Sequence, residues 1–357
     1  MFEYIADLFI AVLVPFLALS GAVLFAMLVF LVLHRAVDEY QFQRRKRLTH
    51  QYRPVVDALL QPEGMDESLR ALAAVPARHR SIIEAMLLKP LAVSTGSVVD
   101  RLHEGARVIG LIGVWTERLS SRAWWVRADS ARALGLVRNA ESLPLIFKAL
   151  DDDHEEVRAA AVDALGLIGH EQAIPVLLDR LGDESRYQRV RIVEALREFG
   201  DVATPALVTH AHERSTDAAM VADILGLIGG HVAAEELKTW MTNTDAGIRG
   251  AALRSLGSIG LDDGGVTIAL KALDDPDADV RAAAARAIGR ARRQDAAPRL
   301  ASHLDDEWIV AASSADALRR LGKPGQDALK ARVDDQGYAG DLARQMLWER
   351  RTATAEV

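Results

Sequence analysis

The sequence predicts an all-α protein, an N-terminal transmembrane helix followed by a right-handed α-α superhelix, on three observations. The run Leu8–Leu33 carries no charged residue. Farther along, one motif recurs every 29–32 residues. Aromatic residues make up only 5% of the chain, while small and aliphatic ones abound. Small side chains let helices approach closely, so this composition suits helices stacked on helices.

The apolar run comes first. Crossing a bilayer takes about 20 apolar residues, and Leu8–Leu33 exceeds that. Nothing basic precedes it, and it is longer than the apolar core of a cleaved signal peptide. Residues 1–34 therefore read as a membrane anchor and residues 35–53 as a basic juxtamembrane linker. Glu3 and Asp7 lie before the run; Arg35, Arg44, Arg45, Lys46, Arg47 and Arg53 follow it. Positive flanks stay on the cytoplasmic side. The expected placement is a single-pass inner-membrane protein, N-terminus outside and the C-terminal part in the cytoplasm. The basic flank also offers a surface for anionic lipid, worth about 1 kcal/mol per basic residue. Ala18, Ala22 and Ala26 form a small-residue stripe of the kind that packs helices in lipid.

Residues 54–122 carry helical patterns at Tyr52–Leu60, Glu67–Ala74, His79–Lys89 and Ser97–Ile112 that do not keep the later period. They read as an irregular N-terminal cap. Trp115, Trp124 and Trp125 cluster at its end. Neighbouring residues on a helix cannot both face the core, so at least one of Trp124 and Trp125 turns away from it; the pair reads as packing within the cap, with interface aromatics as the alternative. Trp240, Trp308 and Trp348 read as core or end-cap residues.

The repeat occupies residues 123–322. Aligned on Leu165, it gives Leu134, Leu165, Leu196, Leu225, Leu256, Ile288 and Leu318. Four residues later stand Arg138, Gly169, Gly200, Gly229, Gly260, Arg292 and Gly322. Glycine just past an apolar helical run is a helix-ending signal. Each unit reads as two helices, as in Leu143–Leu150 and Glu155–Ile168, with Asp151–Asp153 as the turn between them. One hairpin cannot bury its apolar face alone, so about seven units must stack. Residues 323–357 read as a helical C-terminal cap and tail.

The unit Asp-x-x-x-x-Val-Arg-x-x-Ala-x-x-Ala-Leu-Gly-x-Ile-Gly, clearest at Val157–Gly169, resembles the HEAT-like repeats first described in phycobilisome lyases. That resemblance spans about Ala123–Leu321. It implies that the second helix of each hairpin lines the concave face. It also implies that the loop Asp and the following Arg form a structural ladder between units, which makes Arg127, Arg158, Arg189, Arg249 and Arg281 architectural. Asp217-Ala218 and Val310-Ala311 replace the Val-Arg pair, so the ladder is interrupted there.

Catalytic chemistry is not legible. The chain has no Cys, which removes disulfides, thiolate metal sites and Cys nucleophiles. Its net charge of −7 excludes a broad nucleic-acid footprint. Deoxyhypusine hydroxylase is built on similar repeats, with a di-iron site of His-Glu pairs early in the second helices. The two positions after each ladder site here run from Ala128-Asp129 to Ala312-Ser313, and none is His-Glu. His210 and His212 point apart on a helix. No phosphate loop, nucleophile elbow or zinc motif occurs. Expectations are no enzyme, no catalytic or metal residues, no cofactor, no nucleic acid and no small molecule.

One column does carry chemistry. Arg132, Asp163, Glu194, Asp223, Arg254, Arg286 and Asp316 occupy one position of successive second helices, and every one is charged. Such a column faces solvent, on the concave side. Its three central acids flanked by bases suit a partner segment with basic residues at its centre. The expected function is a membrane-anchored cytoplasmic scaffold or adaptor for a protein partner, set in a bacterial envelope or polysaccharide-synthesis complex. The alternatives are a phycobilin-lyase-like enzyme or ligand chaperone, and a membrane-surface lipid sensor.

Overall fold

The structure, a computed structural model, describes the backbone of residues 2–182 and 185–355 and the side chains of residues 21, 24–182, 185 and 188–348. The described residues are helical and contain no strand. The chain divides into two units, Met1–Glu117 and Arg118–Val357.

The first unit is built from α1 (Phe2–Ala58), α2 (Met65–Ala73), α3 (Arg80–Leu91), α4 (Ser97–Val108) and α5 (Leu111–Arg118). Tyr52 and Val56 of α1 and Leu59 just after it are buried, as are Leu72, Ile83, Leu87 and Leu102. Arg101 ends α1 by donating to the carbonyls of Leu59 and Leu60, both at 2.9 Å. The helical pattern seen at 97–112 breaks at Gly110, whose φ of 79° starts a new helix. Trp115 is buried there and donates its indole N–H to Glu84 at 2.6 Å.

Among the described residues, no helix is long and apolar enough to cross a membrane. This overturns the expected single-pass placement in the inner membrane with a cytoplasmic C-terminal part. Beyond Leu33, α1 continues into a charged and polar stretch that opens with His34 and Arg35. The side chains at 8–20, 22 and 23, Ala18 and Ala22 of the small-residue stripe among them, lie outside the described residues. The segment 35–53 continues α1, and Arg35, Arg44, Arg45, Lys46 and Arg47 are exposed along it.

The second unit is a stack of helical pairs. After α6 (Trp124–Leu136) come α7 (Leu143–Ala149) with α8 (Glu155–Ile168), α9 (Ala173–Asp179) with α10 (Arg186–Glu198), and α11 (Thr204–Glu213) with α12 (Ala218–Ile228). These are followed by α13 (His231–Trp240) with α14 (Ala246–Ile259), α15 (Asp263–Ala272) with α16 (Ala278–Arg290), α17 (Ala297–Ser302) with α18 (Trp308–Arg320), and α19 (Lys323–Lys330) with α20 (Tyr338–Ala355). Successive second helices from α6 to α20 pack directly on one another.

Three columns explain the stacking. The aligning residues, from Leu134 to Leu318, are all fully buried. One position later, Gly135, Gly166, Gly226, Gly257 and Gly289 each face a small residue of the next second helix. A Cβ on Gly135 would fall 2.6 Å from the Cα of Ala164, and one on Gly289 2.7 Å from that of Ala317. Backbones approach this closely only where no side chain intervenes. At the fourth position after the aligning residue the chain turns with positive φ in every unit. Glycine supplies that turn five times; Arg138 and Arg292 adopt it at φ 51° and 52° and are the two non-glycine residues with positive φ among those described.

A left-handed conformation costs a residue with a Cβ about 1–2 kcal/mol. Arg138→Gly and Arg292→Gly are therefore each expected to raise stability by about 1 kcal/mol. Urea midpoints of the two variants against the parent measure the gain, and a loss at both would contradict the strain.

Candidate interaction surface

The structure turns Arg-Asp pairs into joints between units. Arg127 donates through Nε and Nη2 to the Asp152 carboxylate of the following unit, at 2.7 and 2.6 Å. Its Nη1 reaches back to the Ser121 carbonyl at 2.9 Å. Arg249 grips Asp275 at 2.8 and 2.7 Å and the Asn243 and Thr244 carbonyls at 2.8 and 2.9 Å. Arg281 holds Asp306 at 2.8 and 2.6 Å and the Asp275 carbonyl at 2.9 Å. Arg158 binds the Asp152 carbonyl at 2.9 Å, and the position where its acid should stand, Asp183, lies outside the described residues. Such two-pronged pairs suit the planar guanidinium. The Asp152 carboxylate is occupied as the joint, and the His154 ring caps α8.

These joints are largely buried, with side-chain exposures between 11% and 18%. The charges answer one another. The Arg127 guanidinium holds the Asp152 carboxyl below the usual carboxylate range, against the opposing effect of burial. Burial pushes Asp275 up, but Arg249 and the Asp277 N–H outweigh it. Asp306 is held down to about 2, chiefly by Arg281.

A carboxylate whose folded pKa is depressed contributes stability above its unfolded value, near 4, and loses it as pH falls through the folded value. For Asp306 the window is pH 4 down to about 2. The contribution at neutral pH is about 2 kcal/mol by linkage. The stability gap between the parent and Asp306→Asn, followed by urea titration, is thus expected to be full at pH 6 and to shrink towards pH 2. A gap unchanged by acid would remove the charge from the account.

A second set of arginines, not anticipated from the sequence, ties the outer helices. Arg180 bonds the Leu150 carbonyl and Asp151 at 3.1 and 2.6 Å, and Arg332 bonds the Ala301 carbonyl and Asp305 at 3.2 and 2.5 Å. The signal was available: both arginines stand near the ends of first helices, one repeat from their acids.

The seven charged residues of the column lie on the exposed side of the second helices, each part-exposed or exposed. The structure does not leave them as seven separate charges. Arg132 meets Asp129 at 3.2 Å and Glu156 at 3.4 Å. Asp163 accepts from Arg191 of the next unit at 2.5 Å, and Glu194 from Arg197 at 3.0 Å. Asp223 and Arg254, neighbours in the column, meet at 3.4 Å. Asp316 is gripped by Arg319 and Arg320 at 2.5 and 2.8 Å. Burial tends to raise Asp316, but those arginines bring its carboxyl below the usual range. Among the central acids, Glu194 and Asp223 keep more than half of their side-chain surface exposed.

Arg286 differs from the rest. Its Nη1 donates to the Ser313 hydroxyl at 2.8 Å. Burial, then the Arg254 and Arg290 charges, hold its guanidinium below the usual arginine range. Three arginines are thus crowded at α14 and α16. Leu167 and Leu227 stand one turn beyond the column and are 39% and 53% exposed. Arg191 was missed as part of this surface because its long side chain chooses a partner across units, which one helix's pattern does not show.

Trp124 stacks on His154 with ring centroids 3.9 Å apart, and Trp125 is 57% exposed. Trp240 is buried as expected, whereas Trp308 and Trp348 are largely exposed. Trp308 meets Tyr338 edge to face at 5.8 Å instead of entering the core. Among the described residues, no group of three His, Asp or Glu is placed to hold a metal ion.

The family model for HEAT repeats matches residues 112–197 and 266–347, and the fold is an all-α, HEAT-like repeat solenoid. The unmatched stretch between them contains α11 to α14, where the joint at Ala218 is missing. No curated protein sequence matches the chain significantly. Solved structures similar to it include the complex of CpcE and CpcF of phycocyanin lyase from Nostoc sp., at 18% identity over 67% of this chain and 94% of that one, with a TM-score of 0.31. Kap121p is 15% identical over 86% of this chain and 45% of its own, with a TM-score of 0.39; the chain therefore spans less than half of it. Human deoxyhypusine hydroxylase in complex with glycerol is 16% identical over 85% and 96%, with a TM-score of 0.28.

Proposed function

We propose that the chain is a protein-interaction scaffold that holds a partner segment across the exposed face of its second helices. The observation that carries this reading is the charged column itself. It runs through seven successive second helices, α6 to α18, and has Leu167 and Leu227 exposed beside it. Apolar contacts framed by patterned charge are what a protein interface needs: the leucines give area, and the charges give register and selectivity. The buried joints tie the units elsewhere, and the pairs on this face are more exposed than they are.

The partner segment carries basic residues at its centre, facing Glu194 and Asp223, and acidic ones towards α14 and α16, facing Arg254 and Arg286. Both central acids retain exposed carboxylate surface beside their internal arginine partners, so a second cation can approach each of them.

Photo-crosslinkers placed at 194 and 223 are expected to capture one dominant protein that the same label at Glu171, at the exposed start of the outer layer, does not capture. Equal capture from both faces would remove the column from the reading. Glu194→Lys with Asp223→Lys is expected to weaken that complex about tenfold, since like charge then faces like charge across the interface. The loss in stability should stay within about 1 kcal/mol, because the internal pairs broken are exposed ones. Calorimetric titration and thermal melting separate the two effects.

A further inference from the structure

The interrupted joint at Ala218 leaves a cavity. In the neighbouring units the second helix starts three residues before the joint position: α6 at Trp124 for Arg127, α14 at Ala246 for Arg249, α16 at Ala278 for Arg281. In this unit α12 starts at Ala218 itself, after the 3-10 turn Ser215–Asp217. The step from Leu196 to Leu225 is the shortest in the array, and the missing residues come from this turn. Both the arginine and the first helical turn are therefore absent, and a cavity of about 440 Å³ opens beside Ala218. His212, Thr216, Trp240, Asn243 and Asp245 line it.

The acceptor side of the joint is still built. Arg127 reaches an acid 25 residues on, and the same step from Ala218 lands on Asn243. The Asn243 Oδ1 accepts from the Asp245 N–H at 2.9 Å. Asp152 and Asp275 accept the corresponding N–H groups of His154 and Asp277 at 2.9 and 3.0 Å. One turn thus holds all three side chains in the same way, with an amide in place of the carboxylate here. The negative charge moves to Asp245, whose Oδ1 caps α14 by accepting from Ile248 N–H at 3.1 Å. Trp240 has its indole N–H tied to Glu236 at 2.8 Å and adds an aromatic wall.

We infer that this cavity receives the guanidinium of an arginine carried by a partner protein, which completes from outside the joint that the chain makes for itself elsewhere. An amide oxygen, a carboxylate and an indole match a planar, weakly hydrated cation better than a compact ammonium. The scaffold reading enters only in naming a partner chain as the arginine's source; the cavity's preference is tested without it.

N-acetyl-arginine amide, titrated to millimolar concentration into the full chain, is expected to shift the Trp240 indole resonance saturably. Trp240→Phe assigns that resonance. N-acetyl-lysine amide should respond about tenfold more weakly, for want of the planar fork. Ala218→Arg with Asn243→Asp should fill the cavity from within, raise the melting temperature and abolish the shift. Asp245→Asn keeps the helix cap and should weaken the response. No saturable shift, equal response to both amides, or an undiminished response in the filled variant would each overturn the assignment. Failure of partner capture from the second-helix face, with the arginine response intact, would count against the scaffold reading alone.

Discussion

Arg281→Ala is expected to lower stability by about 3 kcal/mol, because it strands the Asp306 carboxylate in a largely buried site. Arg281 and Asp306 are 12% and 18% exposed, and they share two hydrogen bonds. The His303 ring at 3.1 Å and the Glu307 N–H at 2.7 Å remain to Asp306 but cannot replace a guanidinium. Adding Asp306→Asn should recover about half of the loss, since an amide is far cheaper to leave unpaired than a charge. Urea midpoints of both single variants and the double variant measure this. A double variant as unstable as Arg281→Ala would show that packing, not the leftover charge, is responsible. The chain already contains the double change: Ala218 and Asn243 replace both members of one joint together.

Gly289→Val is expected to cost about 3 kcal/mol through overpacking. The new Cβ would lie 2.7 Å from the Cα and 2.8 Å from the Cβ of Ala317. Neither atom belongs to a flexible side-chain end, so α16 and α18 must separate. Separation in turn uncovers Ile288 and Leu318, which are fully buried. Gly113→Val is the control, because a Cβ there meets nothing within 4 Å. Thermal melts of the two should differ by many degrees, and similar melts would show that the close approach is dispensable.

Much of the repeat was legible because it rests on local rules. The predicted helix Glu155–Ile168 is the observed one, and Leu143–Leu150 differs from it by a residue. Apolar spacing locates a helix, and a residue at positive φ ends it, whatever its neighbours are. The two arginines in the glycine column were legible as departures but not as strained turns, since sequence shows identity and not φ.

The charged column was legible as a solvent-facing position and no further. Asp163 is joined to Arg191, and Asp223 to Arg254, across units. Which neighbour a long side chain reaches depends on helix spacing, which the pattern of one helix does not contain. The apolar run at the N-terminus gave the placement that did not survive. Hydropathy reads composition over a window, and composition alone does not fix where a helix is placed.

Among the seven aligned units, the close contact of a glycine with a small residue that draws second helices together fails at one step. Between α10 and α12 the two positions hold Arg197 and Ile224, and the residue at the joint spacing from Arg189 of α10 is Arg214, not an acid. In a quasi-one-dimensional array, each interface carries its own share of cooperativity. Coupling is therefore weakest here, and the array behaves as two foldons meeting between α10 and α12. Amide hydrogens on the two sides then exchange with separate opening energies, and under a pulling force the chain extends in two events instead of one.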